Sequence, residues 1–442
     1  MLNALRKKFS YDNPLRVFWH KLKGVLAAVL YGFPARKMVV IGVTGTNGKT
    51  TTTHLIAHTL RAAGKTVGMI STVSMRMNDD IWPNETKKTT LSPFLTQRFL
   101  KRCARKGIQY MVVECSSHAL HQSRLWGIPF TIAVLTNITH EHLDYHGTMA
   151  KYAEAKKILF ETVEKCCQMK SRKEIQNIPH QHTFVLNSVD RFYQDFMALS
   201  CPVKIPYGIE QGDLKAKSPS YFKEGSRFTM VYKEEGIDVV LKLPGSFNVE
   251  NALAATGACL GCKLTLADVK KGLETFEGIP GRMERIMSPK GFEAIVDFAL
   301  TPDALDRLYQ TIRETAKGRV IGIIGSCGDR DREKRPGMGR IVAEHTDITI
   351  VTDEEPYSED PKAIMEAVLS GAKQAPEKKM NRDLFLIEDR YRAIEFAVEK
   401  AKEGDTIVVT GMGNFTTRTM NHGPIPWDER QIVREIIAKY SA

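Results

Sequence analysis

One stretch, Val39-Val40-Ile41-Gly42-Val43-Thr44-Gly45-Thr46-Asn47-Gly48-Lys49-Thr50, constrains this chain more than any other. Its apolar first half reads as a buried strand and its glycine-rich second half as a turn. Thr51 to Ala63 reads as a helix with Leu55, Ile56 and Leu60 on one face. Strand, Gly-Lys-Thr turn and helix together form the context of a phosphate-binding P-loop. Glycines let backbone N–H groups point into one concavity, and the helix N-terminus adds positive potential. In such a loop Lys49 lies along the β- and γ-phosphates and the Thr50 hydroxyl ligates Mg²⁺. One position departs from the usual spacing: Val43 stands where a P-loop carries its first glycine.

A length of 442 residues predicts two or three domains with ample core. The formal charge of +12 is unevenly spread. Arg6, Lys7, Lys8, Arg16, Lys21, Lys23, Arg36 and Lys37 face only Asp12 in the first 37 residues, which therefore hold +7 of that total. A charge confined to one arm argues against a general nucleic-acid surface. Among the eight cysteines, Cys259 and Cys262 form a lone C-x-x-C within an apparent helix. Without a second pair this predicts reduced cytosolic thiols rather than zinc.

In residues 1–36, Leu15, Phe18, Trp19, Leu22, Leu26, Val29, Leu30 and Phe33 recur at helical spacing among basic residues. The apolar run Val25–Tyr31 is far below the roughly 20 residues that span a bilayer. No convincing cleavage site marks a signal peptide. Two readings stay open: a helix packed on the main domain, and an interfacial helix drawn to anionic lipid.

Beyond the P-loop helix, strands are expected at Thr66–Ile70, Tyr110–Glu114 and Phe130–Leu135, with a helix over Phe94–Lys106. Alternating strands and helices predict an α/β fold with a mainly parallel sheet. Polar clusters follow the strands, where such sheets bind ligands. Residues 163–182 read as a polar insert, and residues 203–243 as antiparallel strands. A second α/β domain begins near Gly281, with strands at Ala294–Phe298, Val320–Ile324, Ile348–Thr352 and Thr406–Thr410. The expected division is a basic amphipathic helix (1–36), a central P-loop domain (37–280) and a C-terminal Rossmann-like domain (281–442).

Several ordered motifs resemble the Mur ligases, ATP-dependent amide-forming enzymes of peptidoglycan precursor synthesis. They are Gly45 to Thr50, Glu114-Cys115-Ser116-Ser117-His118, Thr136-Asn137, His142-Leu143-Asp144 and Gly281-Arg282-Met283-Glu284. Tyr145-His146-Gly147-Thr148, Ala153-Glu154-Ala155-Lys156, Gly328 to Arg332 and Lys334-Arg335-Pro336 resemble the MurE branch, which makes the UDP-N-acetylmuramoyl-tripeptide. The resemblance implies ATP and Mg²⁺ as cofactors, with a muramyl-peptide acceptor and an amino acid as partners. ATP would phosphorylate the acceptor carboxylate, and the amine would displace phosphate from the acyl phosphate. Catalysis of such a step is mostly positioning and charge neutralisation.

On this resemblance ATP contacts fall to Gly45, Thr46, Asn47, Gly48, Lys49, Thr50, Thr51, Asn248, Asn251, Arg282 and Asp297. Catalytic roles fall to Lys49, Glu114, His142 and Lys156. Mg²⁺ would be held by Thr50 and Glu114, and a second ion by His142 and Lys156, the latter carbamylated. Acceptor contacts would be Thr89, Thr90, Ser116 and Arg124. Amino-acid contacts would be Arg330, Glu354, Glu355 and Tyr357. ATP is expected between the two domains, with closure assembling the site.

The chain departs from the family's pattern at several points. Leu91 replaces a proline after Thr89-Thr90, predicting a less rigid loop. Leu300 replaces a histidine in Phe298-Ala299-Leu300-Thr301-Pro302. The Asp-Asn-Pro-Arg motif reads Glu354-Glu355-Pro356-Tyr357, and Gly-Lys-Gly-His-Glu reads Gly411-Met412-Gly413-Asn414-Phe415. The family's uridine-binding N-terminal domain, about 100 residues on the scale of a small domain, is represented only by the basic helix. The expectation is a cytoplasmic monomer of MurE type, peripheral to the inner membrane face if its helix meets lipid. The alternatives are a related ligase on a lipid-linked, folate or poly-amino-acid acceptor, and a non-catalytic nucleotide-dependent scaffold at the membrane.

Overall fold

The structure is a computed structural model that describes residues 14–169 and 173–441. Arg6, Lys7, Lys8 and Asp12 of the basic arm lie outside the described residues. The chain divides into two units, Met1–Glu277 and Gly278–Ala442.

The first unit opens with α1 (Pro14–Tyr31), then β1 (Val39–Thr44), α2 (Lys49–Ala62), β2 (Val67–Ile70), β3 (Ser74–Met77), β4 (Asp80–Pro83) and α3 (Pro93–Arg105). There follow β5 (Tyr110–Glu114), α4 (Ser117–His121), β6 (Phe130–Leu135), α5 (Leu143–His146), α6 (Met149–Gln168) and β7 (Thr183–Asn187). The unit closes with α7 (Tyr193–Met197), β8 (Val203–Ile209), β9 (Leu214–Phe222), β10 (Gly225–Tyr232), β11 (Glu235–Leu241), α8 (Ser246–Gly261) and α9 (Leu266–Glu274).

These strands build one eleven-stranded sheet in the order β11-β10-β9-β8-β7-β6-β1-β5-β2-β3-β4. β1, β5, β6 and β7 are buried at every position, which is why they read as unbroken apolar runs rather than alternating ones. β1 pairs in parallel with β5 on one side and β6 on the other, so the loops after these three strands open at one edge. Helix α6 packs tightly under β1: a Cβ on Gly42 would lie 2.6 Å from Leu159 Cδ1.

Three expectations for this unit need correction. Within residues 203–243, β8 pairs in parallel with both β7 and β9, and the antiparallel pairs there are β9–β10 and β10–β11. Its alternating polarity reports one solvated face, not strand direction. Residues 163–168 are no insert, because α6 runs through to Gln168 with Val163 buried. Leu91 is buried in the core beside Phe99 and Leu100, so packing anchors its loop without a proline.

Helix α1 lies against α3 and the Ser123–Gly127 loop through small residues. Ala27 and Ala28 are fully buried, and a Cβ on Gly24 would meet Ser123 O at 2.5 Å. The reading of a helix packed on the main domain holds for the small face, whereas Phe18, Trp19 and their neighbours are exposed. Among the described residues no helix is long and apolar enough to cross a membrane. No disulfide joins the eight cysteines.

The second unit contains β12 (Glu284–Met287), β13 (Glu293–Asp297), α10 (Pro302–Thr315), β14 (Val320–Ile324), α11 (Lys334–His345), β15 (Ile348–Val351) and α12 (Pro361–Ala372). It ends with β16 (Leu384–Leu386), α13 (Arg390–Lys400), β17 (Thr406–Thr410), the hairpin β18 (Thr417–Met420) and β19 (Gly423–Pro426), and α14 (Glu429–Ser441). Its six-stranded sheet has the order β12-β13-β17-β14-β15-β16 and is parallel except for β12. The chain steps outward from β14 to β16 and then returns to β17. The loops after β14 and β17 therefore diverge at a topological switch point, the usual ligand crevice of such sheets.

Candidate active site

The P-loop joins β1 to α2. Gly48 takes the N-cap position with a φ of 80°, a conformation costly for any residue with a Cβ. A Cβ there would also lie 2.1 Å from Asn251 Oδ1, so α8 closes one wall of the loop. The other wall is the β6 terminus. Thr46 N donates to Asn137 O at 2.7 Å, Asn47 N to Asn137 Oδ1 at 2.9 Å, and Thr136 Oγ1 to Asn47 O at 2.6 Å. Lys49 Nζ folds back onto Thr46 O at 2.7 Å. Thr51 continues the first turn of α2 behind Thr50.

Glu114 ends β5, beside β1, and is 1% exposed. Its Oε1 accepts from Thr50 Oγ1 at 2.9 Å and from Thr72 Oγ1 at 3.0 Å, and its Oε2 accepts from Thr72 N at 2.7 Å. Thr72 Oγ1 also lies 3.1 Å from Thr89 Oγ1. Thr90 Oγ1 donates to Glu114 O at 2.9 Å and accepts from Ser116 N at 3.1 Å. Arg124 reaches the same loop, with Nη1 donating to Thr90 O at 3.4 Å while Gln122 Oε1 accepts from its Nε and Nη2. Thr89, Thr90, Ser116 and Arg124 are thus brought together around Glu114.

Lys156 on α6 points up beneath the P-loop. Its Nζ donates to Gly45 O at 2.5 Å and lies 4.2 Å from the centre of the Tyr152 ring. Burial and the charge of Lys49 hold this amine well below the ordinary lysine range. His142 caps α5 with a φ of 56°, its ring 4.6 Å from His118 and 6.2 Å from Tyr152. Tyr152 thus touches both residues expected at the second ion, and its hydroxyl is 3.2 Å from Thr46 Oγ1. Asn251 Nδ2 donates to Asn248 Oδ1 at 3.3 Å, and Asn248 Nδ2 to Pro244 O at 2.8 Å.

Thr72, Asn137 and Tyr152 carry this arrangement but are missing from the residues expected at the site. Thr136-Asn137 at a strand end was a usable signal. Thr72 offered little, since its role arises only once β2 lies next to β5.

In the second unit Asp297 is buried. Its Oδ2 accepts from Met283 N and its Oδ1 from Ala299 N, at 2.8 and 2.7 Å. Burial raises its pKa and the Arg282 charge opposes that rise. The Arg282 guanidinium lies 4.5 Å above the Phe298 ring, which packs edge-on against Phe415. Phe298 thus joins Arg282 to Phe415. Around the switch point Glu354 Oε1 accepts from Cys327 Sγ at 3.0 Å, while its buried Oε2 has no hydrogen-bond partner among the described residues. Burial pushes this carboxyl up to about 7. Glu355 Oε1 accepts from Thr419 N at 2.8 Å and its Oε2 from Tyr357 Oη at 3.4 Å. Arg330 lies 5.6 Å over the Tyr357 ring.

A P-loop whose threonine bonds a strand-end glutamate, followed by a second, mainly parallel α/β unit, has the parts of a nucleotide-dependent enzyme. The Mur ligase middle-domain family matches residues 43–259, and the Mur ligase, glutamate ligase domain matches residues 281–413. The UDP-N-acetylmuramoyl-L-alanyl-D-glutamate–2,6-diaminopimelate ligase of Geobacillus thermodenitrificans is 36% identical, over 93% of this chain and 81% of its own length. The UDP-N-acetylmuramyl-tripeptide synthetase of a Roseiflexus species is 37% identical, over 94% and 81%. A solved structure of a UDP-N-acetylmuramoyl-L-alanyl-D-glutamate–2,6-diaminopimelate ligase superposes with a TM-score of 0.61 at 31% identity, over 92% of this chain and 79% of that one. The chain belongs to the Mur ligase family of ATP-dependent, amide-forming enzymes.

Proposed function

We propose that this protein adds an amino acid to the carboxylate of a muramyl-peptide acceptor at the expense of ATP, as a MurE-type ligase of peptidoglycan precursor synthesis. The observation that carries the reading is the Thr50–Glu114 hydrogen bond, which makes the phosphate loop and the β5 terminus one site. Thr50 and Glu114 set two hard oxygens side by side, a donor set that suits Mg²⁺. Among the described residues no three His, Cys, Asp or Glu side chains stand ready to hold a metal alone. A bound Mg²⁺ would neutralise charge on the phosphates.

In this reading Lys49 leaves Thr46 O to lie along the transferring phosphoryl group, while Gly45 to Thr51 cradle the phosphates. Asn248 and Asn251, with Arg282 and Asp297 of the second unit, hold the remainder of ATP. Thr89, Thr90, Ser116 and Arg124 hold the acceptor. The acceptor carboxylate attacks the γ-phosphorus to give an acyl phosphate and ADP. The incoming amine then displaces phosphate and loses a proton. Burial and the charge of Lys49 hold the Lys156 amine well below the ordinary lysine range, which favours the neutral amine that condenses with carbon dioxide to a carbamate, and with His142 it would serve a second ion.

Arg330 takes the α-carboxylate of the amino acid, and Glu354 takes a distal ammonium. Glu355 and Tyr357, already bonded to each other, shape that crevice. With Tyr357 in place of the family's arginine, a distal carboxylate has no bidentate partner there. L-Lysine or ornithine is therefore preferred over meso-diaminopimelate. We place the reaction in the cytoplasm, with the protein acting as a monomer.

The test is a screen of amino acids against muramyl-dipeptide acceptors with ATP, read by mass spectrometry, with Lys49→Ala as the blank. A ligated product from a diamino acid supports the reading. Meso-diaminopimelate ahead by tenfold rejects the amino-acid assignment, and no product with any acceptor rejects the ligase assignment. A lipid-linked muramyl peptide is a second acceptor worth including, because α1, whose outer face is apolar and exposed, packs through its inner face on the loop that carries Arg124.

A further inference from the structure

Helix α1 meets the first unit through small side chains and leaves its large ones outside. Gly24, Ala27 and Ala28 form the inner face. On the opposite side Leu15, Phe18, Trp19, Leu26, Val29 and Leu30 recur every three or four residues and are 52–77% exposed. Single exposed apolar side chains are ordinary, but six on one helix face mark an interaction surface. The neighbouring α3 adds exposed Phe94 and Leu95.

Charge decides what the surface fits. Residues 14–37 contain Arg16, Lys21, Lys23, Arg36 and Lys37 with no Asp or Glu. Helix α3 presents Arg98, Arg102 and Arg105 to solvent, and residues 86–113 again contain no carboxylate. The segment 115–135, which includes the loop beneath α1, contains none either. A second copy seated here would set these bases against themselves. The Lys23 ammonium stands 5.0 Å from the Trp19 ring centre, so its stem follows the apolar face while its charge stays at the edge.

We propose that the α1–α3 face docks on an anionic lipid surface, with Phe18 and Trp19 in the headgroup–acyl boundary and the flanking bases on lipid phosphates. Gly24 against Ser123 and Ala28 against Gly127 bracket Arg124, so docking holds that loop behind the helix, about one helix diameter from the surface. The lipid contact stands independently of the ligase reading. Its consequence, an acceptor approached from the membrane side, rests on that reading.

The experiment is co-sedimentation of the full chain with vesicles of phosphatidylcholine alone or mixed with phosphatidylglycerol. The expected result is binding to the mixed vesicles only, weakened by salt as charges are screened. The double variant Phe18→Ser/Trp19→Ser should bind roughly tenfold more weakly or less, since two large apolar groups no longer leave water. Arg98→Glu/Arg102→Glu should lose the preference for phosphatidylglycerol. All four positions are exposed, so the variants should keep wild-type ligation of a water-soluble acceptor. Wild-type protein left in the supernatant at low salt, or variants that bind as well as wild type, overturns the proposal. A doubled solution mass abolished by Phe18→Ser/Trp19→Ser, without vesicle binding, also overturns it and assigns the face to a second copy. Vesicle binding without any ligation would leave the docking surface standing and remove the ligase reading alone.

Discussion

Thr50 Oγ1 donates to Glu114 Oε1 at 2.9 Å, joining the last residue of the phosphate loop to the end of the neighbouring strand. The contact depends on sheet order, since β1 and β5 are separated in sequence by β2, β3, β4 and two helices. Replacing Glu114 by Gln keeps the shape and removes the charge. The expected outcome is a fall of about 10²–10³ in turnover, the scale for losing one electrostatic contact to a reacting centre. The Mg²⁺ concentration needed for half-maximal rate should rise. Unchanged turnover and Mg²⁺ dependence would remove Glu114 from the site.

Lys156 offers a chemical rather than electrostatic test. Lys156→Ala should turn over very slowly, and a short-chain carboxylic acid should restore part of the rate by standing in for the carbamate. Steady-state phosphate release with and without the added acid checks this. Wild-type turnover in the variant contradicts the assignment.

Glu354 sets a pH dependence. Its folded-state value of about 7 lies above the ordinary 4.5 because burial disfavours the charged form. Below the lower value both folded and unfolded chains hold the proton. Between the two values only the folded chain keeps it, so this group lowers stability progressively as pH rises, by on the order of 3 kcal/mol above pH 7. Glu354→Gln should therefore gain stability relative to wild type on going from pH 5 to pH 8, read by urea unfolding. In the same range the wild-type KM for a diamino acid should fall as Glu354 ionises, and the variant should lose that dependence.

Leu159 is fully buried one turn beyond Lys156, against Gly42 of β1. Leu159→Ala should destabilise the first unit by about 2–5 kcal/mol, measured by urea unfolding. A change under half a kcal/mol, well inside the ordinary surface range, would mean that this packing does not hold α6 in place.

The phosphate loop was legible in the sequence because its parts are consecutive: apolar run, glycines, lysine, threonine, helix. The all-buried strands of both sheets were legible for a similar reason, as short apolar runs. What stayed hidden depends on neighbours distant in the chain. Thr72 matters only because β2 lies beside β5, and Tyr152 only because α6 passes under Gly45. The α1 periodicity was plain, but nothing local told that Gly24 and Ala28, not Phe18 and Trp19, would face the core. The paired strands β3 and β4 went unread because Asp80 and Pro83 break their apolar pattern.

Ligation through an acyl phosphate leaves an isotopic trace in its products. A muramyl-dipeptide acceptor labelled with oxygen-18 in its reacting carboxylate is turned over with ATP and a diamino acid, and the released phosphate is analysed by mass spectrometry. The expected result is one labelled oxygen in inorganic phosphate and the other in the amide carbonyl, with ADP unlabelled. Label in AMP, or phosphate released without label while amide forms, would contradict it.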